Sequence, residues 1–150
     1  MATENKEPKW WEKYPNPQSE PEYVENTKVL EALKSTNDFD FLIIDLRGDD
    51  FHGGRIKTSL NLPATSIFPS INGILSLAEK SGITTIYLHC NRCTRGSSRA
   101  WRVGGWLQDA VNASNSPVKI YAITGGIADW ARGGSKFTDF MVEYEPSAWK

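Results

Sequence analysis

The stretch YLHCNRCTRGSSRAW, residues 87–101, holds Cys90 and Cys93, the only two cysteines of the 150-residue chain. Around them stand Asn91, Arg92, Thr94, Arg95, Gly96, Ser97, Ser98 and Arg99. A cysteine among arginines favours the thiolate, because nearby positive charge stabilises the sulfur anion and lowers its pKa. Guanidinium groups also form charge-assisted hydrogen bonds that can hold a tetrahedral anion or a persulfide. The plainer reading is a pair of inert cysteines serving as small core residues. The arginines and an adjoining helix start weigh against it. The Cys-x-x-Cys spacing adds a further property. A low-pKa thiolate oxidises readily, and a thiol three residues away can capture the oxidised form as a disulfide. That requires the two Cα atoms to lie within roughly 7 Å.

The elements that would position this loop follow from the hydropathy pattern. Continuous apolar runs at 41–46, 84–89 and 118–123 are too short for helices and suit strands buried on both faces; a shorter strand is expected at 59–62, closed by Pro63. Helical spacing marks 27–35, 71–82, 97–111 and a short segment at 127–134, with Ser97 or Ser98 as N-cap of the third. Alternation of strand and helix predicts an α/β fold with a mainly parallel central sheet and helices on both faces. Sites in such sheets form beyond the carboxyl ends of the strands. His89-Cys90 ends one strand just before a helix begins, so backbone N–H groups and the helix dipole would aim at an anion there.

Residues 1–23 are rich in Pro, Glu, Lys and Asn and read as an extended N-terminal arm, pinned in part by Trp10, Trp11 and Tyr14; the domain is expected over 24–150. The formal net charge of −1 offers no reason to expect nucleic acid or an acidic membrane as partner. No apolar run reaches bilayer length, and no signal-peptide core is visible, so a soluble protein of the cytoplasm, and also of the nucleus, is expected. Two cysteines are too few for a disulfide scaffold. His52 stands alone in a glycine turn, so no metal and no cofactor are expected. The glycines of the third helix, Gly104 and Gly105, suggest close packing against the sheet.

Three segments carry a family resemblance. LIIDLRGDDFHGGRIKTSLNLP resembles the first signature of the rhodanese superfamily, LHC with its arginine-bearing loop resembles the active-site segment, and YAITGGIADWARGG resembles the closing Gly-Gly-x-x-x-Trp signature. The likeness runs from about residue 24 to 134, and the arm and tail look most like small fungal rhodanese-like proteins of the M-phase inducer phosphatase and arsenate reductase branch. It implies a single rhodanese-like domain with one catalytic cysteine. In that superfamily a six-residue loop goes with sulfur transfer, and a seven-residue Cys-x5-Arg loop with oxyanions.

Here Cys90 to Arg95 has the first size and Cys93 to Arg99 the second. The strand aligns on Cys90 and the helix on Arg99, and both hold only if the loop carries an insertion of three residues. The expectation is a Cys90 thiolate, with Cys93 as the alternative nucleophile, acting on a phosphate ester or arsenate, with Arg99 and the loop N–H groups holding oxygens. A thiol such as glutathione would be co-substrate in the arsenate case. The partner would be a small anion or a phosphoprotein, and the protein a monomer or weak dimer. The alternatives are a thiosulfate sulfurtransferase carrying a Cys90 persulfide, and an inactive domain used as a binding module. Asp45 and Arg47 form the Asp-x-Arg of the first signature, and Asp45 is expected to brace a loop arginine rather than to act directly in catalysis. His89 either lowers the thiol pKa or serves as a hydrogen-bonded core residue. Asp49 and Asp50 read as surface charge in a turn, with one of them serving as general acid for a leaving alcohol as the alternative.

Overall fold

The computed structural model describes residues 7–35 and 40–150; the first six residues of the expected arm lie outside them. Five strands form one parallel sheet in the order β1-β6-β5-β2-β4: β1 (Glu22–Val24), β2 (Phe41–Asp45), β4 (Leu60–Asn61), β5 (Thr85–His89) and β6 (Lys119–Ile123). The period-2 pleat of β2 sends Phe41 and Ile43 to one face and Leu42 and Ile44 to the other. Both faces are covered, which is why the strand reads as a continuous apolar run.

On one face lie α2 (Ile71–Lys80) and α3 (Arg99–Ser114), whose Leu75, Ala78, Val103, Leu107 and Val111 pack with Ile86, Leu88 and Ile120. On the other lie α1 (Asn26–Lys34) and α4 (Gly126–Ala131), followed by α5 (Ser135–Thr138); Val29, Leu33, Ile127, Trp130 and Phe137 meet Ile43 and Ile123 there. This is the expected α/β arrangement. No helix among the described residues is long and apolar enough to cross a membrane.

Several details differ from the sequence reading, the first being that β1 joins the sheet beside β6 from the end of the segment read as an arm. The strand expected at 59–62 shrinks to Leu60–Asn61: before it the Ser59 N–H donates back to the Ile56 carbonyl in a turn, and after it Pro63 has no N–H to offer. A second, antiparallel sheet joins β3 (Arg55–Ile56) to β7 (Met141–Val142) and ties the turn after β2 to the tail. Both strands are two residues long, too short for any periodicity to be seen.

The helix glycines also have a different neighbour from the one expected. A Cβ on Gly105 would lie 2.5 Å from the Ser19 carbonyl oxygen and 2.6 Å from Pro17, and one on Gly104 would lie 2.7 Å from Pro21. The close approach is made chiefly by the chain preceding β1. That segment crosses α3 with Trp10 edge-on to Trp106 at 6.1 Å, Tyr14 stacked on Phe68 at 4.7 Å, and the Trp106 indole N–H donating to the Pro15 carbonyl at 2.8 Å.

Gly105→Ala should therefore displace the 15–21 segment even though alanine is the better helix former. The expected cost is ~1–3 kcal/mol of stability, as for overpacking elsewhere, read by denaturant unfolding together with faster proteolysis of the arm. Unchanged or increased stability would mean that the arm does not depend on this glycine.

Candidate active site

The end of β5 runs beside the end of β2, with Asp45 paired in register to His89. Cys90 follows at once, and α3 begins at Arg99, so eight residues (91–98) separate the first cysteine from the arginine. Ser98 is the N-cap; its hydroxyl accepts the Trp101 N–H at 3.1 Å. α4 holds the loop from below. The N–H groups of Ile127 and Ala128 donate to the carbonyls of Cys90 and Asn91 at 3.1 and 3.0 Å. Gly126, at φ +61°, permits this contact, because a Cβ there would sit 2.5 Å from the Asn91 oxygen.

Within the loop Cys93 adopts φ +53°, an uncommon conformation for a residue with a side chain. The chain curls so that its sulfur returns to Cys90. The Cys90 N–H donates to Cys93 Sγ at 3.3 Å, and the two sulfurs are 3.7 Å apart. Both are free thiols, 3% and 5% exposed.

The pair does not share charge evenly. Cys90 is brought down from the ordinary 9.0 to about 5, first by the Cys93 thiol donating to its sulfur, then by the Ala100 and Cys93 N–H groups and the Arg99 charge, all acting against burial. Cys93 is pushed well above the ordinary value, first by that same hydrogen bond and then by burial and the negative charge of Cys90. The pair therefore carries one thiolate at neutral pH, on Cys90, with the first turn of α3 pointing at it.

Of the three loop arginines, Arg99 is the one held at that sulfur. Its guanidinium forks onto Asp50, Nη1 to Oδ1 at 2.8 Å and Nη2 to Oδ2 at 2.6 Å, and its charge helps to hold the Cys90 anion. The hydrogen bonds from Arg99 hold the Asp50 carboxyl below its usual range. Arg95 lies over the Tyr23 ring at 3.9 Å, and Arg92 is exposed. Thr94, Arg95, Gly96 and Ser97 form the exposed outer arc, where the Thr94 carbonyl accepts the Ser97 and Ser98 N–H groups.

Asp45 does not brace a loop arginine. Its carboxylate takes the Arg47 side chain instead, with Nη2 at 2.7 Å and both residues wholly buried. Arg47 then donates to the carbonyls of His52 and Gly54 at 2.9 and 2.8 Å. Two residues of separation let Asp45 and Arg47 close on each other, so the brace on Arg99 passes to Asp50 of the turn that Arg47 shapes. His89 is fully buried; its Nδ1–H donates to the Cys90 carbonyl at 3.1 Å, and its Nε2 lies 3.8 Å from Asp45.

Two participants were not legible as such in the sequence. Asp50 read as surface charge because its partner lies 49 residues away. Tyr23, in β1, has a buried hydroxyl without a hydrogen-bond partner among the described residues. Its pKa is pushed up to about 12, first by burial and then by the neighbouring sulfurs of Cys93 and Cys90, with Arg95 pulling the other way. It stays a neutral donor facing the cysteine pair. Only the β1–β6 register places it there.

A family model described as "Rhodanese-like domain" matches residues 26–132. No curated protein matches the chain in sequence. Among solved structures, a yeast protein tyrosine phosphatase of the rhodanese family, Ygr203w, superposes with TM-score 0.69 at 18% identity, covering 86% of this chain and 96% of that one. The As-Sb reductase from Leishmania major superposes with TM-score 0.70 at 21% identity, covering 85% and 89%. At these identities the likeness is one of fold.

Alkylation of Cys90 by iodoacetamide should follow the thiolate. Because its pKa is lowered, the rate should be flat through neutral pH, halve near pH 5 and fall about tenfold per unit below that. Peptide mass mapping should place the label on Cys90. A midpoint near 9, or a label on Cys93, would contradict the asymmetry of the pair.

Proposed function

The chain belongs to the rhodanese-like domain family, and on that premise we propose that it is a cysteine-dependent enzyme whose Cys90 thiolate attacks a small tetrahedral oxyanion, arsenate or a small phosphate ester. One observation carries this reading: the Ala100 N–H, the Arg99 guanidinium and the Cys93 thiol converge on a single sulfur. The charge they stabilise in the resting site is the one an attacking thiolate brings and a bound oxyanion shares. Arg99 has five N–H donors and spends two on Asp50, so three remain for the sulfur and for substrate oxygens. Asp50 thus fixes the fork without exhausting it.

Burial narrows the substrate. A sulfur belonging to a residue 3% exposed is reached by a small anion more readily than by a phosphorylated side chain on a folded protein. Arsenate therefore fits better than a phosphoprotein. We place the reaction in the cytoplasm, where a thiol of the glutathione class is at hand as reductant. The same closeness supports a second reading. A persulfide adds one sulfur atom to Cys90, needs little room, and is stabilised by the same donors, which is the chemistry of sulfur transfer.

Parallel assays on arsenate with glutathione, a small aryl phosphate, and thiosulfate with cyanide should decide between them, with the oxyanion reactions exceeding thiocyanate formation. Cys90→Ser should lower the favoured activity by roughly 10³-fold or more, as loss of a covalent nucleophile does. Arg99→Ala should cost roughly 10²–10³-fold, as loss of an oxyanion donor does. With glutathione present, Cys93→Ser should keep a measurable fraction. Dominant thiocyanate formation would favour the sulfurtransferase, and a dead Cys93→Ser beside an active Cys90→Ser would overturn the choice of nucleophile.

A further inference from the structure

A hydrolase needs one nucleophilic sulfur, yet this site holds a second at contact distance. Cys93 Sγ lies 3.7 Å from Cys90 Sγ, brought there by a left-handed residue in a loop whose carbonyls at 90 and 91 are tied to α4. Both cysteines are nearly inaccessible, so a bulky external thiol meets Cys90 only with difficulty. A tethered thiol has no such obstacle. Groups held in attack geometry can reach effective concentrations of about 10⁵–10⁸ M, whereas cellular thiols are at most millimolar.

We propose that Cys93 is the resolving nucleophile for an oxyanion adduct on Cys90, and that the substrate is therefore an oxyanion whose central atom can accept two electrons, arsenate rather than phosphate. The inference rests on the oxyanion reading and narrows it.

Cys90 thiolate bonds to arsenic of dihydrogen arsenate, and one arsenic–oxygen bond breaks. The departing hydroxide takes the Cys93 thiol proton and leaves as water. The products are a Cys90 S–As(V) adduct bearing one negative charge and a Cys93 thiolate. That thiolate then attacks Cys90 Sγ. A sulfur–sulfur bond forms and the sulfur–arsenic bond breaks with its electron pair staying on arsenic, which is reduced from As(V) to As(III). Arsenite takes up two protons from water and departs. The two cysteines have lost two electrons and hold a disulfide. An external dithiol reductant resets the site by exchange. Phosphorus has no comparable reduced product, so a phosphate adduct would have to be hydrolysed and Cys93 would not react.

The local contacts time the second step. What keeps the proton on Cys93 is foremost its hydrogen bond to the Cys90 anion, together with burial and that anion's charge. Adduct formation ends the hydrogen bond to a Cys90 anion and moves the negative charge from that sulfur onto the arsenate oxygens, so the first cause is lost and the third weakened. The Cys90 N–H, 3.3 Å from Cys93 Sγ, and the Arg99 charge then remain to hold the new thiolate. The sulfurs must still close to a bond length of about 2.05 Å.

The test is a single turnover. Fully reduced protein, freed of small thiols, is mixed with arsenate without oxygen. The expected yield is one arsenite per protein with an intact-mass loss of two hydrogens, reversed by dithiothreitol, while phosphate changes nothing. Cys93→Ser, which keeps a hydrogen-bond donor beside Cys90, should give less than a tenth of an equivalent alone but turn over when glutathione is supplied. Its Cys90 alkylation rate reports that the site is folded. If wild type stays reduced with arsenate alone, and Cys93→Ser matches wild type with glutathione, the external thiol is the resolver and the inference is overturned while the arsenate reading stands. If neither glutathione nor dithiothreitol supports arsenite formation by wild type, the reading itself fails and the inference with it.

Discussion

A sulfur anion buried at the end of a β-strand is tolerated only if the surrounding chain supplies donors in place of water. Most of what is unusual near Cys90 answers that requirement. α3 starts at Arg99 with Ser98 capping it, so that the Ala100 N–H remains directed at the sulfur. Cys93 takes an unfavourable backbone conformation and returns its thiol as a further donor. Arg99, the first residue of α3, brings the one positive charge of the loop that reaches the sulfur.

The arginine is in turn held by a chain of contacts that begins in β2. Asp45 and Arg47 close on each other where no water reaches, and Arg47 gathers the carbonyls of His52 and Gly54. Asn61 ties the same residues from β4, donating to the carbonyls of Asp45 and Arg47. The turn so shaped presents Asp50 to Arg99. A buried ion pair of this kind adds little net stability, since desolvation offsets much of the attraction. Its value here is positional: the pair is remote from the sulfur, yet it fixes the carboxylate that orients the guanidinium. Gly126 performs the corresponding service below the loop, where a methyl group would push α4 off the Asn91 carbonyl.

The fold was legible because β2, β5 and β6 are buried on both faces and read as unbroken apolar runs, and because α2 and α3 carry clear helical spacing. The loop cysteines and arginines were legible as a cluster. What stayed hidden depends on contacts between distant segments. Neither Asp50 nor Tyr23 has a neighbour in sequence that betrays its role. The Gly104-Gly105 pair signalled close packing, but only the path of residues 15–21 shows against what. The two competing loop frames, Cys90 to Arg95 and Cys93 to Arg99, could not be separated by spacing. In three dimensions Cys93 Sγ and the Arg99 charge both lie close to Cys90, a nearness that spacing alone does not reveal.

On the proposed function, Cys90 and Arg99 build one anion site across the longer loop. A crystal structure of Cys90→Ser with bound sulfate tests this most directly. The predicted result is a sulfate whose central atom lies in line with the position-90 hydroxyl, with oxygens on Arg99 and on the first-turn N–H groups of α3, and with Arg99 still held by Asp50. A sulfate seated against Cys93, or held by Arg92 and Arg95 with Arg99 turned away, would contradict it.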